Sequence, residues 1–423
     1  MDQQTIDLIL TEQKEELERK LAITYCARKE ESLVNLNSNL AQIIIGVRRS
    51  GKSTMCYNLV KNNGKLFAYV NFDDERFENI KADDLNKVLE GLYKLYGNFE
   101  NLFLDEIQNV DSWYLFVNRL LRQGIKLLIT GSNSKLLSGE LATHLTGRYM
   151  KTELYPFSFF EFCAFNHVEI GQLTTKQRGL LRAQFDSYLQ DGGMPELYAE
   201  TRKTEYINTL VENIIKNDIE RRYKIRYTTA FENIAQHILN NAPTIINYNK
   251  LAKNFDLASS HTVENYVTFI CNAYLIIGIH KYSAKSQIRI REEKFYAIDA
   301  SFINMRLDAF SGLNLGWRLE TIVCIELLRR CRPKNLDIYY YCAQTCEVDF
   351  VVCKNRKAEQ LIQVCYDISS DKTLKREIKA LVSASEKVAC NNLLLLTLAD
   401  ETTIQSNGKT IQIMPVYLWL IRP

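Results

Sequence analysis

The stretch that most constrains this chain is Ala41-Gln42-Ile43-Ile44-Ile45, followed at once by Gly46-Val47-Arg48-Arg49-Ser50-Gly51-Lys52-Ser53. The apolar run reads as a buried strand and Thr54 to Lys61 as a helix, so the glycine-bearing segment is the turn between them. Backbone N–H groups can turn inward around an anion only where no Cβ intrudes, which is the use of Gly46 and Gly51. A helix N-terminus behind the turn adds a dipole favourable to phosphate. The pattern predicts a loop that cradles a nucleoside triphosphate, built from Gly46, Arg49, Ser50, Gly51 and Thr54. Lys52 would reach the β and γ phosphates, and Ser53 would offer its hydroxyl to Mg²⁺.

The next segments supply what such a loop needs. Leu66 to Phe72 reads as a strand ending in Asp73-Asp74-Glu75, and a polar helix is expected near Asp83 to Tyr96. Asn101-Leu102-Phe103-Leu104-Asp105-Glu106 then reads as an apolar strand ending in two carboxylates. Asp105 is expected to hold Mg²⁺ through water, and Glu106 to polarise the attacking water. A fourth strand, Ile125 to Thr130, runs into Gly131-Ser132-Asn133-Ser134, where Ser132 or Asn133 is placed to sense the γ-phosphate. Leu145-Thr146-Gly147-Arg148 precedes a fifth strand, and Arg148 is a candidate to stabilise transferred charge, in its own chain or in a neighbouring copy of a homo-oligomer. With no Asn-Lys-x-Asp element in the chain, ATP is expected rather than GTP.

Composition narrows the classes further. The 423 residues are 46% hydrophobic and 24% charged, enough for two or three cores. Lys and Arg number 53 against 50 Asp and Glu, a formal charge of +3, so any nucleic-acid surface must be local. No apolar run approaches the ~18 residues of a membrane span, and the start lacks a signal-peptide pattern, so a cytoplasmic protein with no membrane partner is expected. The 11 cysteines lack paired Cys-x-x-Cys knuckles and read as reduced apolar fillers, including Cys342, Cys346, Cys353 and Cys365.

These motifs resemble a family of bacterial and archaeal AAA-type P-loop ATPases that carry a C-terminal DUF4143 domain. The resemblance rests on Gly46 to Ser53, Phe103-Leu104-Asp105-Glu106-Ile107-Gln108, Ile129-Thr130-Gly131-Ser132 and Leu145-Thr146-Gly147-Arg148. It continues in Leu154-Tyr155-Pro156-Phe157-Ser158-Phe159-Phe160-Glu161-Phe162, Gly192-Gly193-Met194-Pro195-Glu196 and Asp218-Ile219-Glu220-Arg221-Arg222-Tyr223. It implies ATP binding and slow hydrolysis, and it settles fold better than biology.

The second half reads as two further modules. Helices are expected from Tyr248 to Phe255 and from His261 to Leu275, with Ser259 or Ser260 as N-cap of the second: a helix-turn-helix. An alternating segment from Gln287 to Ala297 is expected to form the wing of a winged helix, with Lys281, Lys285, Arg289, Arg291 and Lys294 as a basic edge for double-stranded DNA. The recognition helix itself offers His261, Asn265 and Thr268 but no Arg or Lys. Beyond Asp299, a helix bearing Glu320 and strands bearing Asp349 and Gln363 resemble the layout of PD-(D/E)XK nucleases. There Gln363 stands in place of an acid and Cys365 in place of the lysine, with Lys375 as a distant substitute, so cleavage is not expected to survive.

The expected organisation is α/β. A P-loop AAA-like parallel-sheet ATPase domain fills 1–200, with a helical lead-in over 1–40; a helical and winged-helix region fills 201–300; a small, degenerate PD-(D/E)XK-like domain fills 301–423. The expected function is an ATP-driven switch coupled to DNA. An ATP-regulated nuclease and a protein-assembly adaptor that never touches DNA are the alternatives.

Overall fold

The computed structural model describes residues 1–131, 145, 147–283, 292–304, 314–344 and 346–422. It divides into two compact units, Met1–Leu154 and Tyr155–Pro423.

The first unit is built on five parallel strands: β1 (Ala41–Ile45), β2 (Phe67–Asn71), β3 (Asn101–Asp105), β4 (Lys126–Gly131) and β5 (Tyr149–Glu153). Their order is β2-β3-β4-β1-β5. Strands covered on both faces must be apolar throughout, and β1 and β3 are buried along their whole length. The order puts the connection after β1 and the connection into β5 on opposite sides of β1, a topological switch point at the carboxyl ends of the strands. The ends of β1, β3 and β4 therefore converge there, bringing Gly46, Asp105 and Thr130 together.

Helix α1 (Gln3–Ala22) starts at Asp2, whose carboxylate accepts from the Thr5 N–H at 2.9 Å. It buries Ile6, Ile9, Leu10, Gln13 and Leu17, a helical spacing that packs on α3 (Leu85–Tyr96) and β2. Gln13 accepts from the Asn71 N–H at 2.9 Å and donates to the Asn71 carbonyl at 3.0 Å, closing part of the outer edge of β2. Between β1 and β2 lies α2 (Lys52–Asn63), and α4 (Trp113–Arg122) precedes β4.

The second unit opens with α5 (Phe159–Phe165) and α6 (Thr175–Asp191). A capping box starts α5: Ser158 Oγ accepts from the Glu161 N–H at 3.2 Å, and Glu161 accepts from the Ser158 N–H at 2.8 Å. The Gly-Gly pair lies against the same segment. Phe157 N–H donates to the Gly193 carbonyl at 2.7 Å, and a Cβ on Gly193 would stand 2.3 Å from the Phe157 carbonyl oxygen. Buried Asp299 accepts from the Gly193 N–H at 2.8 Å. Two motifs that carried the family resemblance thus explain themselves as folding devices.

Helices α7 (Lys203–Asn213), α8 (Thr228–Asn241), α9 (Tyr248–Asn254) and α10 (Ser260–Asn272) follow. Strands β6 (Thr244–Ile245), β7 (Ile276–Lys281), β8 (Glu293–Ala297), β9 (Asp337–Ala343), β10 (Cys346–Lys354), β11 (Lys357–Val364), β12 (Leu393–Thr397), β13 (Thr402–Ser406) and β14 (Lys409–Pro415) form one mixed sheet. Its order is β13-β14-β12-β11-β10-β9-β7-β8-β6. Helix α11 (Leu315–Cys331) is buried at 12 of its 17 residues, so it has almost no solvent face. Helix α12 (Asp371–Val388) lays Leu381, Val382 and Ala384 on Val351, Leu361 and Leu395.

This arrangement differs from the sequence-level division. Residues 155–200 fall in the second unit, and a single sheet runs from 244 to 415, through both segments expected at 201–300 and 301–423. Two helices lie over the segments expected for the helix pair, with Ser259 as N-cap, but of the expected wing at 287–297 the described residues show only β8, which pairs with β7 outside that segment. β7, however, also pairs in parallel with β9, so the hairpin is joined to the C-terminal sheet. Among the described residues, no helix is long and apolar enough to cross a membrane.

Candidate functional site

The loop after β1 is shaped by its neighbours. Gly46 has φ 156°, and a Cβ there would stand 2.2 Å from the Leu154 carbonyl oxygen, because Leu154 N–H donates to the Ile45 carbonyl at 2.8 Å. Gly51, at φ 92°, is the N-cap of α2. Arg28 Nη1 donates to the Ser50 carbonyl at 3.0 Å, a buried contact that pins the loop from outside. Lys52 is 5% exposed, and its ammonium donates to the Gly46 and Val47 carbonyls at 3.2 and 3.1 Å. The Ser50 hydroxyl is fully buried and has no protein partner, a cost that an anion in the loop would relieve. Gly46, Arg49, Ser50, Gly51, Lys52, Ser53 and Thr54 thus form one continuous turn and first helical turn.

The acidic pair meets this loop across the sheet. Ser53 Oγ donates to Asp105 Oδ1 at 2.9 Å, and Thr130 Oγ1 donates to the same oxygen. Thr130 Oγ1 also accepts from the Glu106 N–H at 3.1 Å, so one hydroxyl from β4 positions both acids. Burial, and then the neighbouring Glu106, push the Asp105 carboxyl up to about 6, against the hydrogen bonds from Thr130 and Ser53 and the charge of Lys52. A divalent cation at Asp105 and Ser53 would offset that burial. Glu106 has a left-handed backbone, φ 53°, a conformation costing about 1 kcal/mol or more for a residue with a Cβ. The kink turns its carboxylate away from the strand, where Gln108 Nε2 donates to it.

Three participants have no role assigned from the sequence, although Gln108 and Thr130 lie in stretches that carry the family resemblance. Arg28 lies 22 positions before Ser50, Thr130 lies 25 after Asp105, and Gln108 only looks like a polar turn residue. The double-arginine pattern of the loop places Arg48 Nη2 4.0 Å from Asp73, two residues beyond the end of β2. Ser132 and Asn133 lie outside the described residues. Arg148 is exposed, and its carbonyl accepts from the Ala41 N–H at 3.0 Å, at the start of β1. A strand of five residues, ~16 Å, separates that edge from the loop, so Arg148 does not meet the phosphate loop of its own chain.

A second polar cluster occupies the other unit. Lys294 is 7% exposed, and its ammonium lies 2.8 Å from Glu320, 3.0 Å from Glu347 and 3.5 Å from Asp349. Tyr296 OH donates to Glu320 at 2.7 Å, and Val364 N–H donates to Asp349 at 2.9 Å. Gln363 accepts from the Asp349 N–H at 3.2 Å and donates to Glu377 at 2.9 Å. Burial, and then Glu320, raise the Asp349 carboxyl well above the usual carboxylate range, with Lys294 opposing. Burial works against the Lys294 ammonium, but Asp349, Glu320 and Glu347 hold it charged. Three carboxyls around one cation leave negative charge in excess, which adds to the upward push on Asp349.

This corrects the basic edge expected for the wing: Lys294 points into the carboxylates, and Lys281 pairs with Glu292 at 2.8 Å. Lys285, Arg289 and Arg291 lie outside the described residues. Lys375 is placed elsewhere, lining a groove beside Ile404 and Asn407, and Cys365 Sγ donates to the Asp367 carbonyl. Among the described residues, no group of three or more His, Cys, Asp or Glu is placed to hold a metal ion.

Comparison with known proteins agrees with the first unit. The family described as an AAA domain matches residues 38–163. A family described as a domain of unknown function, DUF8612, matches residues 182–312, where the sequence resemblance had suggested DUF4143. An uncharacterized protein of Methanocaldococcus jannaschii is 34% identical over 401 residues, covering 91% of this chain and 89% of that one. An uncharacterized protein of Haemophilus influenzae is 29% identical over 350 residues, covering 78% and 84%. Among solved structures, the Walker-type ATPase paby2304 of Pyrococcus abyssi covers 69% of this chain and 95% of its own, at 14% identity and a TM-score of 0.40, too slight a likeness to carry detail.

Proposed function

We propose a function from one premise: the chain belongs to the family of the Methanocaldococcus jannaschii protein, and its first unit is an AAA-type P-loop ATPase domain. On this reading it binds ATP with Mg²⁺ and hydrolyses it. Lys52 and the loop amides from Gly46 to Thr54 hold the phosphates, and Ser53 and Asp105 would hold the metal. The metal supplies charge neutralisation of the phosphates when bound. Glu106 orients the attacking water and accepts its proton. The observation that carries the reading is the Ser53–Asp105 hydrogen bond, which joins the loop to the acidic strand end beside a buried lysine.

Arg148, at the opposite sheet edge from its own loop, is assigned to a neighbouring copy's site, which makes hydrolysis a property of a homo-oligomer. The rest of the chain is read as the output of a nucleotide-driven switch, with DNA as its partner. Support comes from α9 and α10, which leave His261, Asn265 and Thr268 exposed on one helix. The C-terminal half of the sheet is read as a degenerate PD-(D/E)XK-like module without cleavage, because Lys294 lies between Glu320 and Asp349 where a metal would be needed.

The decisive measurement is phosphate release from ATP with and without double-stranded and single-stranded DNA, for the wild type and Glu106→Gln. DNA stimulation that disappears in the variant supports the switch. Hydrolysis indifferent to DNA removes DNA as the coupled partner and favours a protein-assembly adaptor. Mg²⁺-dependent plasmid nicking that Asp349→Ala abolishes would instead restore the nuclease reading.

A further inference from the structure

We propose that a cleft beside the C-terminal end of α12 binds single-stranded nucleic acid, stacking bases on three tyrosines and holding phosphates with the cations of the β10–β11 hairpin. The proposal deepens the nucleic-acid reading of the second unit but does not depend on ATP hydrolysis or on the helix pair α9–α10. The cleft encloses about 470 Å³ and is lined by Tyr282, Tyr339, Tyr341, Arg356 and Lys387, over Val388.

The aromatic floor is built on rigid elements. Tyr339 and Tyr341 lie on β9, two residues apart and so on the same face. Tyr282 follows β7, and its N–H donates to the Tyr340 carbonyl at 2.7 Å. All three rings pack against the core that α12 makes with β10 and β11, and all three stay half-buried, with part of each ring facing outward. Tyr282 and Tyr339 meet edge to face, centroids 5.9 Å apart. Half-exposed rings held in this way are platforms on which any base can stack.

The cations come from an unusual turn. β10 and β11 are joined through Asn355 and Arg356, with φ of 50° and 68°, between the paired residues Lys354 and Lys357. A two-residue turn with both φ positive favours Asn-Gly, because glycine meets no steric penalty at its second position. This chain has an arginine there, exposed and lining the cleft, with exposed Lys354 and Lys357 on either side. Lys387 adds a fourth cation from the last turn of α12. No acidic side chain is among the described lining residues.

Rings and cations in one cleft fit a polyanion that also exposes flat apolar faces. A single strand has both; a duplex hides its base faces, and an acidic peptide would engage only the cations.

The test uses the full-length chain without nucleotide, and the fluorescence anisotropy of a labelled oligothymidylate of about 20 nucleotides. Arg356→Gly relieves the turn, so its melting temperature should be unchanged or higher. It should nevertheless weaken single-strand binding and lower the salt slope by about 0.7, the signature of one lost phosphate contact. Tyr341→Leu should weaken binding about fivefold or more while Tyr341→Phe keeps it, since stacking needs the ring and not the hydroxyl. The proposal is overturned if Arg356→Gly binds like the wild type, if Leu and Phe at 341 behave alike, or if polyglutamate competes as well as unlabelled oligonucleotide. Loss of duplex binding or of DNA-stimulated hydrolysis with single-strand binding intact would count against the proposed switch and leave this site standing.

Discussion

Two buried lysines in this molecule face two kinds of neighbourhood, and the contrast separates a candidate ligand site from a cluster closed by the chain's own charges. Lys52 donates to the carbonyls of its own loop, beside an acid that meets a serine hydroxyl rather than an ammonium. Lys294 sits among three carboxylates and lies 2.8 Å from the nearest. Both clusters lie on sheets and both contain an aspartate raised by burial. A carboxylate that keeps a place for an outside cation suits a transient ligand. One already paired with the chain's own ammonium fixes strands and helices to each other.

The strongest way to break this comparison is through the first cluster. Glu106→Gln should lower kcat by about 10²–10⁴-fold with nucleotide affinity retained, measured by phosphate release alongside binding of a fluorescent ATP analogue. Equal hydrolysis by the variant would remove Glu106 from the chemistry.

Lys294→Met should leave ATP turnover unchanged but destabilise the second unit by about 3–5 kcal/mol, since it strands buried carboxylates. The deficit should depend on pH. The folded-state pKa of Asp349 already lies above its unfolded value, so the stability from its protonated form is present at low pH and is lost as pH rises from about 4. Removing the ammonium raises that pKa further, and urea denaturation should report a larger loss at pH 8 than at pH 5. A loss independent of pH would mean that packing, not charge, is what Lys294 supplies.

Gln363→Glu restores the acid of the nuclease layout. It should still give no metal-dependent nicking and should cost about 1–3 kcal/mol, because it sets a third carboxylate beside Asp349 and Glu377 and discards the donor to Glu377. Nicking by this variant would show that Lys294 does not block the site. The smallest effect is expected where charges are removed together: Lys294→Met with Glu320→Gln and Asp349→Asn should recover most of the stability lost in Lys294→Met alone, read as the urea midpoint.

How much of this was legible in the sequence follows from chain distance. The loop from Gly46 to Ser53 and the acids at Asp105 and Glu106 are contiguous motifs next to apolar strands, so the elements that carry them could be read locally. Thr130 was visible as a strand end and as part of a resemblance motif but without a role, and Arg28 had no pattern at all, because their partners are chosen by the sheet order. Lys294 was misread for the same reason: period-two alternation puts it on one face with Tyr296, but does not say that this face meets Glu320 and Asp349. Arg148 was read without the direction of β5, which puts it at the far end of the strand from the loop. The joining of β7 to β9 was also invisible, since the two strands are separated by a hairpin, a helix and a long connection.

That joining has a consequence in time. β7 ends at Lys281 and its second partner, β9, begins at Asp337, 56 residues later. At a synthesis rate of about 5–20 residues per second, roughly 3 to 11 s pass between the emergence of the two strands. Once β8 has emerged the β7–β8 pair can form, while the other edge of β7 at His280 and Lys281 waits for Tyr339 and Tyr340. The newborn chain therefore carries a partly unpaired strand edge until β9 arrives, a template for wrong pairing that the finished sheet no longer offers.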